Sequence, residues 1–352
     1  MNLDDLGHLQ ALDTQNFLHD VDTLPDQVEQ AWRLARSYPP LDGPGQIKNI
    51  VITGMGGSAI GGDLVQAYLA AECPLPLAVV RGYRLPAWAG PETLVIASSH
   101  SGNTEETLAA SQAALERGAR LLAITRGGQL GRLADAHGRP VWRFEHGGQP
   151  RAAVGFSFML ILWALVNLGL VADPSEPVAG AVAALRAQQA RLRAEVPVSG
   201  NPAKRMAGQL MDRLPLIFAA DQLAPVARRW KGQINEVAKA VAVFDELPEM
   251  DHNSVAGTMY PEMLTGKFMA LFLRSSLAHP RNALRADVTR QLYMTAGFNT
   301  DVIEASGPST LAHMLTSLHF GDYTAFYLAM AYGVDPSPVP QIDELKDELS
   351  QH

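Results

Sequence analysis

The sequence has few of the features that mark disulfide-stabilised, thiolate-metal or nucleic-acid-binding proteins. Cys73 is the only cysteine among 352 residues, which excludes an intramolecular disulfide and a thiolate cluster around a metal. The chain has 28 basic against 36 acidic residues and a net charge of −8, whereas proteins that wrap nucleic acid usually carry a basic excess. We therefore expect no nucleic-acid partner.

Long apolar runs are also scarce, with one exception. Residues 154–171 read VGFSFMLILWALVNLGLV, a length that could span a bilayer. The run contains Ser157 and Asn167 and lies within a regular alternation of strands and helices, so we expect a helix buried in a domain core or at a subunit interface. Residues 1–20 are polar and acidic, without the apolar core of a signal peptide. We expect a cytoplasmic protein with no membrane partner.

What the sequence does have is ample apolar material, at 47% of residues, and an alternation of strand and helix patterns. Short apolar runs separated by helical stretches predict parallel sheets flanked by helices. The length fits two domains of about 150 residues. We expect an α/β fold in two similar halves, divided as a helical segment (1–45), a first domain (46–172), a connecting helix (173–200), a second domain (201–335) and a tail (336–352).

The first predicted strand, residues 49–53, leads into a glycine-rich segment. This segment reads GMGGSAIGG and includes Gly56, Gly57 and Ser58. Glycines between a strand and a helix let backbone N–H groups and the positive end of the helix dipole face an anion. The same segment also fits a dinucleotide fingerprint. The next strand ends near Arg81 rather than at an acidic residue, which disfavours NAD and leaves NADP open.

A second segment, SSHSGNTEET, closes a strand and opens a helix. Ser99, Ser101 and Thr104 place three hydroxyl groups at the helix N-terminus, in a turn kept open by Gly102. Hydroxyl and N–H donors at this position suit a phosphate monoester. One such hydroxyl would be an ordinary helix cap. Three of them beside a glycine loop favour phosphate binding.

Together these segments resemble the sugar-isomerase (SIS) domain family, and more narrowly the bifunctional phosphoglucose/phosphomannose isomerases. Further matches occur along nearly the whole chain, at 150–151, 231–236, 247–249, 252–253, 321–323 and 335–346. The resemblance implies two SIS-type domains and isomerisation of glucose 6-phosphate, and of mannose 6-phosphate, to fructose 6-phosphate without a metal or cofactor. It also implies a phosphate site formed by Gly56, Gly57, Ser58, Ser99, Ser101 and Thr104.

The resemblance further implies that Arg151, Glu236, His252 and Lys346 are catalytic. Aldose–ketose isomerisation needs a base that moves a proton between C1 and C2, and a carboxylate can serve. Glu236 lies in a rather apolar stretch, although a lone helical glutamate usually faces solvent or pairs with a neighbour such as Lys239. A histidine can shuttle the proton that opens the sugar ring, and an arginine can stabilise the enediolate.

The sequence departs from the family pattern at three positions that lie next to proposed site residues in the sequence. Val237 and Ser254 replace an asparagine and an acidic residue, and His100 replaces an aromatic. The resemblance also implies a homodimer in which His252 acts in the partner's site, and we expect the apolar helix at 154–171 to offer the surface for the second copy. The alternative is a non-catalytic SIS-type regulator that binds a sugar phosphate, which would need the phosphate loops but not the four catalytic residues.

Overall fold

The computed structural model describes residues 2–43 and 45–351. The helices of this part of the chain are α1 (Leu6–Leu12), α2 (Phe17–Asp22), α3 (Leu24–Ser37), α4 (Gly56–Tyr68), α5 (Glu105–Glu116), α6 (Gly128–Ala136), α7 (Val154–Asn167), α8 (Ser175–Gln189), α9 (Pro202–Leu210), α10 (Ala224–Val237), α11 (Pro280–Thr295), α12 (Thr310–Tyr332) and α13 (Pro340–Leu349). The strands are β1 (Asn49–Thr53), β2 (Leu77–Val80), β3 (Thr93–Ser99), β4 (Arg120–Thr125), β5 (Val141–Arg143), β6 (Leu214–Ala220), β7 (Val243–Leu247), β8 (Phe268–Arg274) and β9 (Asn299–Glu304).

The strands of the described chain form two parallel sheets. The first has the order β2-β1-β3-β4-β5 and the second the order β7-β6-β8-β9. Ile52 pairs with Val79 on one side and Ile96 on the other, as expected for a central strand with helices on both faces. The predicted α/β fold with two parallel sheets flanked by helices is confirmed.

Helices from both halves share one apolar core. Val28 of α3, Leu64 of α4, Phe158 of α7, Ile234 of α10 and Leu315 of α12 are fully buried in the same cluster. The two sheets therefore do not pack as independent globules, because α10 of the second half lies against α4 of the first. This contact brings the end of one sheet close to a helix of the other half.

Helix α7 is the apolar run singled out in the sequence, and it is buried within the single chain. Phe158, Leu160 and Leu162 are 0% exposed, since α3 and α4 cover the helix. Burial in the core is confirmed, and the expectation that this helix offers a surface to a second copy is wrong. In residues 2–43 and 45–351, no helix has the length and apolarity needed to cross a membrane.

Most predicted elements lie within a few residues of their observed positions, but three were not predicted. These are α9, the edge strand β7 and the tail helix α13. The predicted helix over 225–241 ends at Val237, and the strand β7 starts at Val243. Lys239, between them, has a left-handed backbone with φ of 56°, which ends a helix but is rarely signalled by a lysine.

Candidate functional site

Two strand-to-helix turns lie side by side at the carboxyl edge of the first sheet. β1 and β3 are parallel neighbours, and each leads into the N-terminus of a helix, α4 or α5. A Cβ on Gly54 would lie 2.8 Å from the Ser98 carbonyl oxygen, and one on Gly102 would lie 1.9 Å from that of Gly127. Gly102 also has φ of +69°. Only glycine fits these two positions, because any side chain would collide with backbone.

The hydroxyl groups predicted to bind phosphate line the second turn. The Oγ atoms of Ser99 and Thr104 lie 2.9 Å apart, and Ser99 Oγ accepts the Gly102 N–H at 3.1 Å. Ser101 is exposed, and its Oγ accepts the Asn103 N–H at 3.1 Å. No side chain caps α4 or α5. The two N-termini can therefore present their first-turn N–H groups to an anion.

The glycine turn lies against the backbone of Arg151, which joins the predicted phosphate site to the predicted catalytic residues. A Cβ on Gly57 would lie 3.4 Å from Arg151 Cα. Arg151 belongs to a short 3-10 helix, Pro150–Ala152, and is 6% exposed. Its guanidinium lies over the Phe17 ring. Burial lowers the pKa of Arg151, and the nearby carboxylate of Glu236 acts in the opposite direction.

Glu236 lies in the last turn of α10, and its carboxylate approaches Arg151. Glu236 Oε2 is 4.0 Å from Arg151 Nη1, and the glutamate side chain is 33% exposed. The structure thus brings together two of the four residues predicted to be catalytic. One comes from each half of the chain, and the backbone of Arg151 lies against the glycine turn at Gly57.

A buried ion pair contacts the backbone of Arg151. Arg229 donates from Nε and Nη2 to the carboxylate of Asp322, at 3.0 and 2.7 Å. Its Nη2 also donates to the Arg151 carbonyl at 3.1 Å. Burial raises the pKa of Asp322, and Arg229 opposes that shift. Sequence reasoning gave this pair no role, although an aspartate inside the apolar helix α12 was a signal that a buried partner exists.

His252 and Lys346, the other two predicted catalytic residues, are exposed. His252 is exposed at the end of a 3-10 helix, Glu249–His252. Asp251 fixes that segment to α11 through Arg285 and Thr289, at 2.8 and 2.7 Å. Lys346 lies on α13, in which no residue is buried. Two of the four predicted catalytic residues are thus on exposed segments of the protomer.

His100, at the second turn, is buried beside another histidine. It is one of the three residues that depart from the family pattern. His100 Nε2 is 3.3 Å from His146 Nδ1, and its ring packs edge-on against Phe144. Burial, together with the nearby His146 and Arg126, lowers the pKa of His100 to about 4. The imidazole is therefore neutral at pH 7.

The residues present do not favour the nucleotide alternative. Arg81, which would have to receive a 2′-phosphate, is paired with Asp63. In the part of the chain that the structure describes, no group of three or more His, Cys, Asp or Glu residues is placed to hold a metal ion. The chemistry available at this edge of the sheet is that of anion-binding helix termini beside an arginine and a carboxylate.

Comparison with known proteins adds to this geometry. The family model "SIS domain" matches residues 46–166, and the one described as "Bacterial phospho-glucose isomerase C-terminal SIS domain" matches residues 199–349. A solved structure of a hypothetical protein from Thermus thermophilus shares the fold, with a TM-score of 0.73 at 16% identity over 99% of this chain and 90% of that one.

Two curated relatives are named bifunctional phosphoglucose/phosphomannose isomerase. That of Caldicellulosiruptor bescii is 40% identical over 93% of this chain and 97% of its own. That of Aquifex aeolicus is 36% identical over 87% of this chain and 91% of its own. With both halves matched and the two turns in place, the chain belongs to the bifunctional phosphoglucose/phosphomannose isomerase family.

Proposed function

We propose that this protein interconverts glucose 6-phosphate and mannose 6-phosphate with fructose 6-phosphate, in a site between the glycine and serine turns and the end of α10. The observation that carries the proposal is the approach of Glu236 to Arg151, at 4.0 Å, with the Arg151 backbone lying against the glycine turn. A base, a fixed cation and a phosphate site within one region are what an aldose–ketose isomerase needs.

The phosphate group is held by Gly56, Gly57 and Ser58 at the start of α4 and by Ser99, Ser101 and Thr104 at the start of α5. Their N–H and hydroxyl groups donate to its oxygens. Phosphate binding at a fixed point then sets the position of C1 and C2. Because the two helix termini supply the donors, the site can bind an anion even though the protein carries a net charge of −8.

Glu236 is the base. It takes the proton from C2 of the open-chain aldose and returns it to C1, while the hydroxyl proton moves from O2 to O1. Arg151 stabilises the negative charge of the enediolate between the two steps. Glucose 6-phosphate and mannose 6-phosphate differ only in configuration at C2, which is planar in the enediolate, so both substrates share one intermediate.

His252 and Lys346 open the sugar ring, with His252 supplied by the second subunit of a homodimer. His252 is exposed in the protomer, as a residue that reaches another subunit must be. Exposed apolar side chains follow it in the chain, at Met259, Tyr260 and Met263. These side chains give a second copy an apolar surface next to His252, in place of the helix α7 first expected.

A coupled assay of the purified protein tests the activity directly. Fructose 6-phosphate should be converted to both aldose phosphates, at rates that EDTA does not change. A rate that is lost with EDTA and restored by a divalent ion would contradict this mechanism. Binding of fructose 6-phosphate without turnover would support the regulator alternative, which the catalytic activity of the named relatives does not favour.

Subunit exchange tests the shared site. Glu236→Gln and His252→Ala dimers, mixed and allowed to exchange, should recover roughly a quarter of wild-type activity, since half the dimers are mixed and one of their two sites is intact. If exchange is demonstrated and no activity is recovered, the shared site is contradicted, while the proposed isomerase activity is not.

We also propose a cytoplasmic location and domains bounded at 46–172 and 201–335.

A further inference from the structure

Lys239 has a backbone conformation that does not suit a lysine. Among the residues described, four non-glycine residues have a left-handed backbone, and three are Asn16, Asp212 and Asp221. Asn and Asp side chains tolerate this region through local hydrogen bonds. The fourth is Lys239, with φ of 56°, at the end of α10 where glycine is the usual residue. A lysine at such a position indicates that its side chain is needed.

The side chain folds back over the end of α10 and reaches the tail of the protein. Lys239 Nζ donates to the carbonyl oxygens of Glu236 at 2.5 Å, Pro336 at 3.2 Å and Val237 at 3.4 Å. Arg151 Nη2 donates to the same Pro336 carbonyl at 2.8 Å. One carbonyl oxygen of the tail is therefore shared by a cation from each half of the chain.

The tail depends on this point for its placement. Pro336 and Ser337 are buried, and Arg151 also donates to the Ser337 carbonyl. Helix α13 begins only four residues after Pro336, at Pro340, and has no buried residue of its own. Since α13 gains little from packing, the contacts at 336–337 fix the position from which it extends, and with it the position of Lys346.

We propose that Lys239 is a positioning residue of the isomerase site, which holds the start of the tail that carries Lys346 against the helix end that carries Glu236. The proposal rests on the proposed roles of Glu236 and Lys346. Lys239 itself does not touch the substrate. It acts through Pro336, and Arg151 is its partner at that carbonyl.

The charge on Lys239 gives this role a pH dependence. Burial and the neighbouring Arg151, partly opposed by Asp335 and Glu236, lower the pKa of Lys239 to about 8. The protonated amine has three N–H donors for the three carbonyl oxygens, whereas the neutral amine has two. As the pH rises through about 8, a contact is lost and the tail loosens.

The test compares Lys239→Gly with Asp212→Gly. Both place glycine at a position with φ of 56°, a conformation that glycine adopts readily. Only the first removes the contact to Pro336. For Lys239→Gly we expect kcat to fall at least tenfold with little change in KM, and hydrogen exchange of residues 340–349 to quicken. Asp212→Gly should match the wild type in both measurements.

Two further variants separate positioning from folding. Lys239→Met keeps the length of the side chain without its donors and should behave as Lys239→Gly. Lys239→Arg keeps donors and charge, so it should restore much of kcat and shift the alkaline loss of activity above pH 8. Faster exchange with unchanged kcat, or equal losses in Asp212→Gly, would overturn the proposal. The wild-type rate, measured in the same series, reports separately on the isomerase activity.

Discussion

The two halves of the chain repeat one arrangement of strands, yet they contribute to the site from opposite ends of corresponding helices. β1 pairs with β2 and β3 as β6 pairs with β7 and β8, so α4 and α10 follow equivalent strands. In the first half, the start of α4 is a glycine turn. In the second half, the start of α10 is buried and contains Pro225, which lacks an N–H to offer an anion.

This difference shows how one architecture can supply two kinds of chemistry. A helix N-terminus presents unpaired N–H groups and suits a phosphate, whereas the last turn of a helix presents side chains beside carbonyl oxygens. In the proposed site, the first half would use the former at α4 and α5, and the second half would use the latter at Glu236. Helix α10 packs against α4, and the approach of Glu236 to Arg151 would link these two helix ends in the proposed site.

The largest expected effect comes from the second half's contribution. Glu236→Gln keeps the size of the side chain but removes the base, so kcat should fall by roughly 10²–10⁴. Binding of a phosphorylated aldonic acid should persist, because the phosphate turns belong to the first half. Steady-state kinetics and a titration of the inhibitor measure the two effects.

An exposed glutamate in the first turn of α8 provides the control. Glu176→Gln should leave kcat and inhibitor binding unchanged, since this residue lies far along the chain from both turns. Near wild-type turnover in Glu236→Gln would move the base to another residue. Loss of inhibitor binding in Glu236→Gln would contradict the proposal that the first half alone binds the phosphate.

The buried Arg229–Asp322 pair of the second half, which contacts the first half at the Arg151 carbonyl, should show the next largest effect, on the free energy of unfolding. Asp322→Asn leaves Arg229 buried without its carboxylate, and removing one partner of a buried pair costs about 3–5 kcal/mol. Arg186→Gln breaks an exposed pair with Asp26 and Glu29 and should cost less than about 1 kcal/mol. Urea unfolding of the two variants gives the comparison.

A double variant shows whether the Arg229–Asp322 pair also positions Arg151. Arg229→Met with Asp322→Leu replaces the pair by apolar side chains, which should recover much of the stability. It should not recover kcat, because the Arg151 carbonyl has lost the donor that Arg229 supplied. Full recovery of both the free energy of unfolding and kcat would show that the pair contributes only to packing.

The first half could be predicted from sequence more completely than the second. β1 and β4 were predicted residue for residue, because apolar runs bounded by glycine and polar residues mark buried parallel strands. In the second half, β7 was missed because only its last residue, Leu247, is buried and the strand lies at the edge of its sheet. Its sequence, VFDEL, lacks the continuous apolar signal of a central strand.

The predicted site residues differ in the same way. The glycine and hydroxyl residues follow one another in the sequence, so their chemistry could be inferred from local pattern. Arg229, Asp322 and Lys239 act through contacts between segments far apart in the chain. No local pattern predicts such contacts, and only the packing of α10 against α12 brings them together.

The phosphate turns of the first half provide a smaller effect that the second half should lack. Ser101→Ala and Thr104→Ala each remove a donor worth about 1–3 kcal/mol where it is buried, so KM should rise and kcat can fall with it.

The control is Ser275, which follows β8 in the second half as Ser99 ends β3 in the first. Its Oγ accepts the Leu277 N–H and contacts His313. Ser275→Ala should leave KM unchanged. Unchanged kinetics in all three variants would mean that the serine turn is an ordinary helix start with no role in phosphate binding.

The smallest expected effect is a pH-dependent cost of stability inside the first half's serine turn. Because burial lowers the pKa of His100 to about 4, the unfolded chain takes up a proton near pH 6.5 that the folded protein does not. The free energy of unfolding should therefore fall as the pH drops from 7.5 to 5, by about 2 kcal/mol from this residue.

His100→Phe should show a smaller fall in the free energy of unfolding, measured with urea at the two pH values. The remaining fall is assigned to His146 and to the fully buried His319, whose pKa values burial also lowers. The exposed His137 serves as the control, and His137→Gln should keep the wild-type slope. Equal slopes for His100→Phe and the wild type would show that the turn accommodates a charged imidazole, and that its neutral state is not a condition for the fold.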